Sequence, residues 1–296
     1  MSRARAAGLS LALALLGAPA ARGQEGPAPP PAAPPGPTIG LLGEVLRRAQ
    51  EGGAIERLAG ERWFRLQGKQ GGDALLLVRV IPSAEPPRVV VDTVLTTLGQ
   101  DPPADMNTQV LLGPDGRMQA FRSALRLAGR GESRAEGRVQ QGELQLVVEQ
   151  PGQDRREERK PWEADAVPGQ ALMFLVPALW EFIPQDELQL VQFDESAGKL
   201  APWLLQRARS DPAAQGPQLV TVRLVHPVER ERVQFEARVD PRGRIVEVRR
   251  EQATLRAVED AEAQRLLGAE RARLAAGAGV DPASGPAPVP PPPAPR

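Results

Sequence analysis

From Arg62 onward the apolar residues of this chain recur at every second position. The clearest stretch sets Val233, Phe235, Ala237 and Val239 on one side and Gln234, Glu236 and Arg238 on the other. Neighbouring side chains of an extended strand point to opposite faces, so this pattern buries one face and wets the other. That is the mark of antiparallel sheet, not of a doubly wound parallel one. Residues 62–67, 74–81, 88–98, 108–112, 117–127, 143–150, 187–193, 218–226, 232–239 and 244–250 all alternate or run apolar over strand-sized lengths, with Gly, Pro and Asp between them.

Two of the connections are nearly the same. Gly113-Pro114-Asp115-Gly116-Arg117 and Asp240-Pro241-Arg242-Gly243-Arg244 both follow a strand and lead into another. Proline fixes φ at the first corner and glycine takes the positive φ that follows, so both are read as tight hairpins. Their likeness divides the body into two halves, 39–165 and 166–276, which are related by duplication or alike only in turn chemistry. Helical spacing is confined to three places. Leu41, Leu42, Val45, Leu46 and Ala49 form an amphipathic helix that Gly52 and Gly53 stop. Residues 171–180 (ALMFLVPALW) read as a buried helix, bent or begun anew at Pro177. A last helix, roughly 258–276, carries Glu259, Asp260 and Glu262 at its start and Arg271 and Arg273 near its end, as the helix dipole favours. The expected fold is therefore mainly β (α+β): a large curved antiparallel sheet or half-barrel packed on a few helices, with helical first and last elements.

The ends of the chain are of another kind. Arg3 and Arg5 precede an apolar run from Leu9 to Leu16, and Ala18-Pro19-Ala20 follows. This is the order of a secretory signal with cleavage after Ala20, Gly23 being the nearby alternative. Residues 21–38 and 277–296 are Pro/Ala-rich spacers flanking a globular body at 39–276. With Cys 0 there is no disulfide framework, thiolate metal site or lipid-modified cysteine, and no later segment reads as a transmembrane span. The expectation is a soluble exported protein, periplasmic or extracellular. Thirty-seven Lys and Arg balance thirty-seven Asp and Glu, interspersed along the chain, which argues against nucleic acid or an anionic membrane as the main partner.

Signs of catalysis are few. The single histidine, His226, precedes Pro227 beside a turn. Ser196-Ala197-Gly198-Lys199 has the Ser-x-x-Lys spacing of penicillin-binding enzymes, but it follows a strand, contains glycine and lacks a companion Lys-Thr-Gly, so a hairpin turn explains it better. Gly68, Gly71 and Gly72, and likewise Gly129 and Gly131, fall between strands and not in a strand-to-helix phosphate loop. The mixed charges of 154–160 read as a solvated loop or an edge strand. No tyrosine, four tryptophans and six phenylalanines leave little for sugar platforms or single-strand grooves. No catalytic residue, metal ligand or cofactor site is assigned, and the chain is read as no enzyme.

Signal, leading helix, long antiparallel meander with Pro-x-Gly-Arg hairpins, intervening apolar helix and trailing helix together resemble the periplasmic lipoprotein-carrier (LolA/LolB-like) fold and related envelope proteins. The resemblance covers roughly 39–276, rests on architecture, and carries over no functional residue. It implies a curved, unclosed sheet around helices with an apolar cavity for acyl chains. The expected lining is Leu77, Val91, Leu95, Leu146, Met173, Phe174 and Val222. Two functions follow: binding of a lipid or lipoprotein ligand in the sheet's concavity, or a structural domain that interacts with envelope proteins and has neither small ligand nor catalysis.

Overall fold

The structure, a computed structural model, describes residues 41–69, 72–84, 87–129, 131–163, 165–183, 185–195, 198–208 and 219–277. The signal sequence, the spacer before residue 39 and the Pro-rich tail lie outside the described residues, as do Ser196 and Ala197 of the Ser-x-x-Lys motif.

Alternation does what it predicts. Fifteen strands form one sheet: β1 (Gly60–Gly68), β2 (Asp73–Ala84), β3 (Pro87–Leu98), β4 (Ala104–Leu112), β5 (Met118–Leu127), β6 (Gly131–Gln140), β7 (Glu143–Glu149), β8 (Arg156–Pro161), β9 (Val167–Pro168), β10 (Glu187–Asp194), β11 (Lys199–Ala208), β12 (Val220–Val225), β13 (Val233–Val239), β14 (Ile245–Arg250) and β15 (Ala253–Val258). The order is β8 to β1 and then β15 down to β9, antiparallel except for the two-residue β9, which lies parallel to β10. Two meanders thus run outward from a central seam where β1 pairs with β15, Leu66 facing Leu255. The chain passes from β8, at one edge, to β9 at the other, so the sheet must curl. Its two ends meet at Phe193 of β10, whose ring centroid is 5.3 Å from Phe121 of β5 and 5.0 Å from Trp162.

The concave face is covered by helices. α1 (Leu41–Glu51) buries Val45, Leu46 and Ala49 and braces its wet side with Glu44–Arg47, Glu44–Arg48 and Arg47–Glu51 ion pairs at helical spacing. The short α2 (Ala54–Leu58) adds Ile55 and Leu58. The apolar segment breaks where Pro177 lacks an N–H: α3 (Gly169–Phe174) ends and a 3-10 helix (Pro177–Phe182) begins. Leu172, Leu175 and Leu179 are fully buried there, in one cluster with α1, α2 and strands of both meanders. α4 (Asp260–Gly277) lies on the opposite face, over β1 and β3. The Trp63 indole donates to Asp260 Oδ1 at 3.0 Å, and Glu270 accepts from Gly99 N at 2.8 Å.

The elements that alternation did not single out have physical reasons. β6 carries small residues on much of its inward side, Ser133, Ala135 and Gly137 beside Val139, and the Phe121 ring lies over Gly137 so closely that a Cβ would sit 2.1 Å from it. β11 contains Pro202, tolerated because β12 pairs only with 204–208, leaving that point without a neighbour on the β12 side. β8 is the edge-strand alternative of the 154–160 reading.

The two similar hairpins share one geometry. Gly116 N donates to Gly113 O at 3.0 Å and Gly243 N to Asp240 O at 2.9 Å, with φ of 72° and 76°, and each turn is preceded by a one-residue register shift. Each glycine also lies against a helix. A Cβ at Gly116 would fall 2.4 Å from Gly43 N of α1, and one at Gly243 would fall 2.9 Å from Ala178 O of the 3-10 helix. Gly116→Ala should therefore cost about 3 kcal/mol in chemical denaturation, combining backbone strain with the clash. Gly152→Ala, at φ 74° with open space around it, should cost only about 1 kcal/mol. Equal losses at the two positions would show that the helix contact is not tight.

Candidate functional site

The first N–H groups of a helix have no partner within the helix. At α3 those of Gly169 and Gln170 are met by one carboxylate: Glu195 Oε2 and Oε1 accept from them at 3.1 Å each. Glu195 follows β10 in the turn closed by Gly198 N donating to Asp194 O at 2.8 Å. It is buried, and burial pushes its carboxyl up to about 7; neighbouring Asp194 adds to the rise, and the two backbone donors oppose it. Asp194 is also felt by Arg250 of β14, whose guanidinium is pushed down to about 10 by burial, with Asp194 opposing that fall. Glu195 therefore ties the filling of the concave face to the sheet, and Asp194 connects the same turn to β14, four strands away in the same meander. Sequence reading passed over it as part of a turn; an acidic pair directly after the apolar end of β10 was the available signal.

The interior's other polar atoms mostly satisfy one another. Thr93 Oγ1 donates to Thr108 O at 3.3 Å, Thr108 Oγ1 and Ser123 Oγ share a hydrogen at 3.0 Å, and Thr97 Oγ1 both donates to Ala104 O and accepts from Ala104 N. Gln170 Oε1 and the Trp203 indole nitrogen are buried without a partner.

At one end of the sheet Leu58, Gly60, Phe64, Val78, Val80, Phe174 and Ile245 surround a cavity of about 10 Å³, room for a single water. Arg62 stands in its wall. Burial lowers the pKa of that guanidinium, Arg244 lowers it further, and Asp240 opposes them. It donates to Arg57 O at 3.3 Å and makes no ion pair among the described residues.

Of the residues expected to line an acyl cavity, Val91, Leu95, Leu146, Met173, Phe174 and Val222 all belong to the single core cluster, and Phe174 also borders the small cavity, its ring 5.8 Å from that of Phe64. Leu77 is buried as well, but it alternates with the core residues Leu76 and Val78 and so lies on the other face of β2, outside the cluster. His226 accepts from Glu229 N through Nδ1 at 3.0 Å and stacks edge-on to Trp203. Gly198, at φ 61°, turns the chain into β11, where Lys199 faces Asp194. Among the described residues no group of three or more His, Asp or Glu side chains is arranged to hold a metal ion, and no helix is long and apolar enough to cross a membrane.

Fold and site define a class: a mainly β protein with one large, mostly antiparallel open sheet whose concave face is closed by helical segments of the same chain. Among solved structures it is similar to a β-barrel-like protein of the domain of unknown function DUF1849 from Brucella abortus, at 13% identity and a TM-score of 0.47, over 69% of this chain and 97% of that one. No family model matches the sequence, and no curated protein matches it.

Glu195 generates a pH dependence. Its pKa in the fold lies above the ordinary 4.5, so the native state binds the extra proton between about 4.5 and 7, and stability falls as pH rises through that window. Urea denaturation at pH 5 and pH 8 should differ by up to about 3 kcal/mol from this group. Glu195→Gln should remove that difference, and a variant that keeps the wild-type slope would show that another group causes it.

Proposed function

We propose that this chain is an exported envelope protein whose folded body is a structural or protein-interaction domain, with no small ligand and no catalysis. The observation that carries the reading is the filled concave face. The segment from Ala171 to Ile183 occupies the place an acyl chain would take, and Leu172, Leu175 and Leu179 are wholly buried in it. Interior hydroxyls are spent on one another and on the backbone, which leaves few polar groups to orient a guest.

A second reading, uptake of a lipid or lipoprotein acyl chain, is favoured by one observation: the half-buried Arg62 beside the apolar walls of Phe64, Val78, Val80 and Phe174, a setting that suits an amphiphile with an anionic head. Such a guest has to displace part of the filling, because this cavity has room for about one water. Native mass spectrometry of protein purified from an expressing cell's envelope separates the two. The expected result is a single apo mass, no uptake of a fluorescent fatty acid, and discrete protein partners on crosslinking. Co-purified lipid that is lost in Phe174→Trp would overturn the interaction reading in favour of the carrier. Export carries its own expectation: amino-terminal sequencing of the processed protein should begin at Ala21, and an intact Met1 in the cell extract alone would remove the envelope assignment.

A further inference from the structure

Charges that are interspersed along the sequence are brought into rows by the strands. Arg223 lies between the core residues Val222 and Leu224, and Arg238 between Ala237 and Val239, so both point away from the core. Register does the rest. One row across the convex face reads Arg238, Glu247, Arg256 on β13, β14 and β15; the next reads Arg223, Glu236, Arg249 on β12, β13 and β14. Four arginines thus share two glutamates, a surplus of two positive charges (4 − 2 = 2) on neighbouring strands. Arg65, next along the first row, is taken up by Asp73.

The arrangement is layered. Glu247 is nearly buried at the sheet surface, its carboxylate 2.5 Å from Arg249, 3.2 Å from Arg256 and 3.8 Å from Arg238, and those side chains are 52%, 66% and 39% exposed. One carboxylate below lies within ion-pair distance of three guanidiniums above, accepts a hydrogen bond from Arg256 Nε, and offsets the charge of only one of them. The remaining donors face solvent in a form suited to phosphate oxygens.

We propose that this convex face docks on a surface of phosphate-bearing anionic lipid head groups. Charge complementarity sets the sign of the partner. The two rows lie on the convex side of β12 to β15, beside α4, and present their guanidiniums outward over three to four strands, which suits an extended anionic surface better than a single small anion. The two rows carry no aromatic side chain on which bases could stack, which favours lipid over single-stranded nucleic acid. The proposal rests on the envelope-interaction reading above and names one of its partners.

Cosedimentation of the full chain with vesicles tests it without reference to protein partners, so its failure is separable from failure of that reading. Vesicles of mixed phosphatidylglycerol and phosphatidylcholine should bind the protein, vesicles of phosphatidylcholine alone should not, and high salt should release it. Removing arginines alone would strand Glu247 and endanger the fold, so the decisive variant combines R238Q, R249Q, R256Q and E247Q. It removes two net positive charges (3 − 1 = 2) and should weaken binding roughly twenty-five-fold, at roughly fivefold per charge. The control R122Q/R155Q removes the same net charge from exposed positions in the other meander and should stay within about twofold. Equal binding to neutral vesicles, equal losses in both variants, or tighter binding to single-stranded DNA than to phosphatidylglycerol would each overturn the proposal.

Discussion

Everything in this molecule depends on how the concave face of a fifteen-strand sheet is kept from water. A sheet that alternates apolar and polar residues has one face to bury, and a single layer cannot bury it against itself unless it curls. Curling alone leaves a space, and the segment from Gly169 to Ile183 fills it with side chains apolar on nearly every side. Such a segment makes few directional bonds, so its position has to be set at its ends. At the start Glu195 receives the first N–H groups of α3. Further along, the β13–β14 hairpin brings Gly243 against Ala178, and the sister hairpin brings Gly116 against Gly43. The two Pro-x-Gly turns thus have a second task beyond reversing the chain, which is to approach helices more closely than any side chain would permit.

Much of this was legible because period two is a strong local signal. The sheet, the two hairpins, the helix restarting at Pro177 and the helical ends all follow from residue spacing and turn chemistry. What was hidden depends on partners distant in sequence. Gly137 makes sense only under the ring of Phe121, and the small inward residues beside it, Ser133 and Ala135, leave little apolar alternation to read in β6. Pro202 argues against a strand until the pairing shows that β12 does not reach it. Glu195 looks like any turn carboxylate until the chain returns α3 to it. Val91, Leu95 and Val222, named as an acyl lining, lie in the packed core, whereas Leu77 lies on the other face, because in a run of three leucines periodicity does not say which faces the core.

The edges follow the same economy. β8 is an edge strand of mixed charge, with Lys160 paired to Glu158 and Arg155, just before it, reaching Glu149 and Glu157. Its charged side chains blunt an edge that would otherwise template pairing with another chain. The opposite end of the sheet is protected differently, by the short β9 and by Phe193 packing on Phe121 and Trp162. One edge is guarded by charge and the other by burial.

These arrangements divide the labour between the two faces. Inside, titratable groups are few and held at high cost: burial raises the Glu195 carboxyl to about 7, and Arg250 is desolvated near Asp194. A chain with balanced charge that spends so little of it inside must place nearly all of it outside, where strand alternation decides which signs become neighbours. A one-residue slip in the β13–β14 register would break the Arg238–Glu247–Arg256 row and at the same time turn core residues outward. Core burial therefore fixes the surface pattern too: the register that hides Ala237 and Val248 is the register that gathers the arginines around Glu247.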